Sequence, residues 1–231
     1  MFTILRVITT TILLSFASYG QAGVSLDKTR IVFPAGKQSQ TITFSNAGTQ
    51  HYLVQAVVTK LDSDTPSDAF MVVPPLFRSD GEHQNLLKIV RTGRALPKDR
   101  ESAFRLRLNI IPASTQPLTH EKMAVVSATL GIAIKLFYRP DDLSGTPDES
   151  YAGLIFHKEP EGISVFNPGA YYVSFSKLSL GGNMVNIDKS ESMIPPAGKI
   201  VYPLMISESQ AVWQAIDDFG AGTKNFQSQI K

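Results

Sequence analysis

Residues 124–140 read AVVSATLGIAIKLFYRP, and the fold of the whole chain hangs on this stretch. Ala124, Val126, Ala128, Leu130, Ile132 and Ile134 fall on one parity, with Ser127, Thr129 and Gly131 on the other. A period of two belongs to a β-strand, whose successive side chains leave on opposite faces. The run is longer than the usual strand of about five or six residues, so part of its apolar row extends past what its own sheet needs. Alternation alone leaves two readings open: core packing in a long strand, or a strand whose overhanging row is offered to another protein. Lys135 then interrupts the apolar face, and Leu136, Phe137, Tyr138 and Arg139 lead to Pro140. Proline has no N–H for a sheet ladder, so the unit ends there.

Working back towards the start, short β-branched or alternating runs are separated by turn signals. Residues 24–26 and 30–33 are entry strands, followed by a turn at Pro34 to Gly36. Residues 39–44 alternate, 46–48 turn, and 51–58 make the next strand. A polar loop spans 62–68. Strands then follow at 70–73, 86–91 and 103–110, with a loop at 112–122 before the opening stretch. Short strands at near-regular spacing with Gly and Pro between them predict an antiparallel sandwich of about a hundred residues.

Working forward, residues 141–150 (DDLSGTPDES) are polar, carry Gly and Pro, and read as a linker between domains. Beyond them, 153–156 and 162–166 are short strands, 171–175 is an aromatic-rich alternating strand, and 192–202 supplies a turn and a strand. The expected organisation is a first domain over 23–140, a linker over 141–150 and a second, smaller sandwich over 151–231. The fold class is all-β, two sandwiches in tandem.

The chain opens MFTILRVITTTILLSFASYGQA, with one charge at Arg6, an apolar stretch over 7–17, and Gly20 and Ala22 two apart. This is the layout of a secretory signal peptide, and it is too short for a membrane span. Residues 1–22 are expected to be cleaved, which removes Arg6 and no acid and takes the formal charge from +2 to +1. So neutral a balance argues against a nucleic-acid partner. The chain has no cysteine, so it is not a disulfide scaffold and must be held by full hydrophobic cores.

Chemistry-bearing motifs are scarce. His51, His83, His120 and His157 are scattered without the spacing of a zinc site. There is no Gly-rich phosphate loop and no G-x-S-x-G elbow, so no enzyme, cofactor or small-molecule substrate is expected. A secreted sugar-binding module or a hydrolase would need clustered aromatics or paired carboxylates, and Trp213 beside Asp217 and Asp218 is all that points there. Two cations stand out instead. Arg30 lies in an otherwise apolar strand and Lys135 breaks an apolar face, so each must reach solvent or wait for an anion.

Four segments in order carry a family resemblance: Lys28 to Phe33 (KTRIVF), Pro74 to Arg78 (PPLFR), Leu96 to Ser102 (LPKDRES) and Ile134 to Pro140 (IKLFYRP). With Asn167-Pro-Gly-Ala-Tyr-Tyr172 and Ile216-Asp-Asp-Phe-Gly220, the chain resembles the periplasmic chaperones of pilus assembly, the PapD-like family of the chaperone–usher pathway. It departs mildly, with Ala170 where the family has Pro and Asp217 where it has Asn. The resemblance implies two immunoglobulin-like sandwiches set at an angle with an interdomain cleft, in a periplasmic protein that caps pilus (fimbrial) subunits by donor-strand complementation and passes them to an outer-membrane usher. By the same resemblance, Arg30 and Lys135 grip the subunit's C-terminal carboxylate, and Ala124, Val126, Ala128 and Leu130 are the donor row. Glu101, Arg139 and Asp218 form an interdomain salt bridge. The lack of a cysteine pair in the loop before the donor row places the chain with the short-loop members. Ala124 and Ala128 are smaller than the family's large aliphatics, which implies weaker binding or a narrower groove. Self-association of the free protein through the same strand is a further partner the resemblance admits. The competing reading is a cell-surface pilin or adhesin built from similar sandwiches.

Overall fold

The computed structural model describes residues 23–113, 129–206 and 208–231. The expected signal peptide and the donor positions Ala124, Val126 and Ala128 lie outside the described residues. In the first unit the alternating runs become β1 (Val24–Leu26), β2 (Arg30–Pro34), β3 (Ser39–Asn46), β4 (Tyr52–Lys60), β5 (Phe70–Val73), β6 (Leu76–Ser79), β7 (His83–Arg91), β8 (Ser102–Pro112) and β9 (Leu130–Arg139). They form two sheets, β1-β3-β7-β5 and β2-β9-β8-β4-β6. Burial alternates as a pleated sheet demands: Phe104, Leu106, Leu108 and Ile110 face inward along β8, while Arg105, Arg107 and Asn109 face outward. Between the sheets Phe70 meets Phe33 and Phe104 edge-on, each at 5.1 Å between ring centroids, the geometry the aromatic quadrupole favours. The sequence does not mark β6 as a strand. It pairs with β4 in the second sheet, so the chain changes sheets at Pro74 and Pro75, where no backbone N–H is available to continue β5.

The expected linker is not all loop. Its end is a short helix, α1 (Pro147–Ala152), nucleated by a capping box in which Thr146 accepts from the Glu149 backbone N–H and the Glu149 side chain accepts from Thr146 N–H. Pro147 at the first helical position suits that start because its missing N–H would be unpaired anyway.

The second unit comprises β10 (Ile155–Glu159), β11 (Gly162–Phe166), β12 (Val173–Leu180), β13 (Asn183–Met184), β14 (Met193–Ile194), β15 (Lys199–Tyr202), β16 (Gln210–Ala215) and β17 (Phe226–Gln229). One sheet is β10-β11-β15; the other is β13-β12-β16-β17, with β14 also on β12. The aromatic strand expected over 171–175 is shifted, starting at Val173 and running to Leu180. Tyr171 and Tyr172 precede it, Tyr171 held by a hydroxyl hydrogen bond to Gly145 C=O at 3.0 Å. Trp213 is no surface platform: it is buried in this core, 4.9 Å from the Phe156 ring, with its indole N–H donating to Tyr151 C=O at 2.8 Å.

Candidate functional site

β9 is central for part of its length and an edge for the rest. Its pairing with β8 runs from Leu130 opposite Ile110 to Tyr138 opposite Ser102. On its other side β2 runs parallel to it, but only from Arg30 opposite Lys135 to Pro34 opposite Arg139. Among the described residues, 130–134 therefore have one unpaired edge, which is where another strand can add. Along the inward row burial rises towards the domain junction: Leu130 is 47% exposed, Ile132 and Ile134 are half-buried against the core, and Leu136 is buried. Leu130 is thus on the core-facing parity but past the end of the core.

The free edge stops at a pair of cations. Arg30 and Lys135 are register partners, so both side chains leave the sheet on its outward face. Both reach across to the second unit and find neutral oxygens there. Arg30 Nη1 donates to Ile216 C=O at 3.0 Å, and Lys135 Nζ donates to Ser174 Oγ at 3.3 Å. Arg30 Nε is buried without a hydrogen-bond partner among the described residues, and its Cζ lies 5.8 Å from the Phe137 ring centroid. Burial pulls the Lys135 ammonium down to about 8, and the charges of Arg30 and Arg105 push the same way. Burial also lowers Arg30, only partly offset by more distant acids. These are cations held at some cost with nothing anionic in contact among the described residues.

Four residues further along β9 the opposite holds. Arg139 Nη1 and Nη2 donate to the two carboxylate oxygens of Asp218 at 2.6 and 2.7 Å, and Nε donates to Glu101 Oε1 at 2.7 Å. The other Glu101 oxygen accepts from Tyr172 N–H at 2.8 Å, and Glu101 N–H donates to Ala170 C=O at 2.9 Å. Only 2% of the Glu101 side chain is exposed. Burial pushes its carboxyl up, opposed by Arg139 and by the Tyr172 N–H. For Arg139 burial acts downward, but the hydrogen bonds to Asp218 and the charge of Glu101 outweigh it and hold the guanidinium charged. The Arg139 Cζ also lies 5.1 Å from the Tyr171 ring.

Several groups at this junction are not apparent from the sequence. Tyr172, whose ring lies 5.7 Å from Phe137, joins the two units through side chain and backbone alike. Gly220 sits at φ +90° against Thr29, where a Cβ would run into the threonine Oγ1. The Asp217 Oδ1 accepts from Phe219 and Ala221 N–H and tightens that turn. The register that brings Arg105 beside Lys135 is equally invisible in the sequence.

Two family models match in tandem: the PapD N-terminal domain of pili and flagellar-assembly chaperones over residues 23–144, and the PapD C-terminal domain of pili assembly chaperones over residues 149–227. Chaperone protein FocC of Escherichia coli is 34% identical over 218 residues, spanning 91% of this chain and 91% of its own. Chaperone protein FimB/FhaD of Bordetella pertussis is 34% identical over 228 residues, spanning 94% of this chain and 92% of its own. Among solved structures, a chain of the Salmonella enterica SafA pilin–SafB chaperone complex aligns with a TM-score of 0.79 at 28% identity, over 90% of this chain and 96% of that one. The E. coli chaperone DraB aligns with a TM-score of 0.77 at 31% identity, over 90% and 97%.

Proposed function

Because the chain belongs to the pili assembly chaperone family, with its N- and C-terminal domains matched in order, we propose that this chaperone of pilus subunits works by lending them a strand. A subunit that lacks one strand of its sandwich exposes an apolar groove and unpaired backbone groups, which is an aggregation hazard. Residues 124–130 fill that gap, with Ala124, Val126, Ala128 and Leu130 in the groove, while the backbone beside them supplies ladder hydrogen bonds.

The observation that carries this reading is the way the β9 edge ends. A strand laid along residues 130–134 must stop where β2 takes over the edge, and that is the Arg30–Lys135 pair. A chain terminus arriving there brings a carboxylate between two cations that, among the described residues, have only neutral acceptors. Arginine offers a planar fork and lysine a compact charge, so the two can hold one anion between them. Fixing the last residue also fixes register, and a one-residue slip would turn the apolar row away from the groove. Glu101, Arg139 and Asp218 hold the angle between the sandwiches and take no part in binding. The protein acts in the periplasm after loss of residues 1–22. It needs no nucleotide and performs no catalytic step, and it releases its cargo by strand exchange at an outer-membrane usher.

The test is co-expression with the pilus subunits of the same assembly system and recovery from periplasm. Wild type brings down a subunit; Leu130→Asp does not, while its thermal unfolding is unchanged, because a charge at a half-exposed site is desolvated only in the complex. Equal recovery of subunit by Leu130→Asp would remove the donor row from that face.

A further inference from the structure

The row of charge at the end of the free edge has three members. Across the sheet, Arg30 on β2, Lys135 on β9 and Arg105 on β8 stand in register and leave on the same face. Two of them suffice for one carboxylate, which leaves Arg105 unexplained. Its neighbour Arg107 pairs closely with Asp64, but the same carboxylate approaches Arg105 only to 4.0 Å, and the Arg105 side chain is 35% exposed. Arg105 and Lys135 together line a cavity of about 380 Å3 between the two units, bounded also by Leu61, Asp62, Tyr172 and Glu191. Asp62 and Glu191 are exposed, and neither forms an ion pair with these cations among the described residues. The charges that bear on Lys135 are Arg30 and Arg105, and both push the same way.

We propose that Arg105 is a specificity arm of the subunit anchor, receiving an acidic side chain from one of the last two residues of the captured subunit. The inference rests on the terminal-carboxylate reading of Arg30 and Lys135 and extends it to partner choice. Side chains alternate along a strand, so one of the last two residues of a chain ending at Lys135 faces the Arg105 side of the sheet. The cavity gives that side chain room, Tyr172 and Leu61 cover its stem, and the guanidinium meets its carboxylate. A subunit ending in two uncharged residues is held by its terminus alone.

The experiment uses N-acetylated tetrapeptides ending Ala-Ala, Glu-Ala or Ala-Glu, each as free acid and as amide, titrated against the full chain by NMR. One of the two Glu peptides binds wild type about tenfold tighter than the Ala-Ala peptide, as a charge-assisted hydrogen bond supplies. Arg105→Gln erases that advantage while leaving Ala-Ala binding and its loss on amidation intact, and Arg105→Glu reverses the preference. Glu peptides no tighter than Ala-Ala, or an advantage that survives Arg105→Gln, overturns the proposal. An acid preference that depends on Arg105 but ignores amidation would uphold the subsite and overturn the terminal anchor instead, so the two readings fail separately.

Discussion

Two groups of charges lie four residues apart on β9 and are completed in opposite ways. Arg139 is saturated, bidentate on Asp218 and tied to a Glu101 whose second oxygen is itself occupied. Arg30 and Lys135 have a carbonyl and a hydroxyl. A fully paired buried charge specifies geometry, since removing any member strands the others, whereas a cation with neutral partners recovers its desolvation cost only when an anion arrives. One strand thus carries a brace and an anchor, distinguished by what each cation already holds.

The largest effect that sharpens this contrast is on the brace. Arg139→Ala leaves Glu101 buried without its cation and is expected to lower stability by about 3–5 kcal/mol in denaturant unfolding. An unchanged midpoint would mean the network is not formed in solution. Next comes the anchor: Arg30→Ala or Lys135→Ala should leave stability undiminished or raise it near neutral pH, since each removes a cation held at a desolvation cost, but weaken subunit capture by about ten- to a hundredfold, the range of a hydrogen bond to a charged group. If either cost as much stability as Arg139→Ala, the distinction between brace and anchor would collapse.

The smallest effect is on pH dependence, and here stability and binding move in opposite directions. Burial lowers Lys135 from the ordinary lysine pKa of 10.5 to about 8, so above pH 8 the folded state sheds a proton that the unfolded chain keeps until about 10.5. The contribution of this group to stability therefore rises with pH across that window. An anion binds the charged form and raises its pKa, so capture is flat from about pH 5, where a chain-terminal carboxylate is ionised, to about pH 8 and falls above that, by up to tenfold per pH unit until the pKa of the complex is reached. Titrating binding of wild type and Lys135→Gln separates the two, because only wild type should show the fall. Parallel curves would assign the fall to another group.

Much of this molecule is legible in the sequence because period-two patterning is a local signal. Residues 70–73 and 162–166 read directly as strands and are β5 and β11. β6 escapes because Pro74 and Pro75 sit against it and its four residues are too short to display a period. The helix α1 is hidden in a segment that reads as linker on composition, although Thr146-Pro-Asp-Glu149 carries a capping box. The charged residues of the junction stand out as cations that a sandwich core does not need. The partners of Arg139 come with the family resemblance, but those of Arg30, Lys135 and Arg105 do not: register, which sets Arg105 beside Lys135, is a non-local property, and backbone acceptors such as Ile216 C=O carry no side-chain signature. Trp213, the thin support for a sugar-binding or hydrolase site in the sequence, has its place in the core fixed by an equally non-local contact, the packing of Phe156 against it.

The claim that the unsaturated cations await a chain terminus is tested most directly by one pair of affinities. A peptide carrying the C-terminal strand of a copurified subunit is prepared as free acid and as amide, and each is measured calorimetrically against wild type and Lys135→Ala near pH 7. Amidation should weaken binding to wild type by about ten- to a hundredfold and have little further effect on Lys135→Ala. Equal affinity of acid and amide for wild type would contradict the anchor and make Arg30 and Lys135 ordinary cations of the junction.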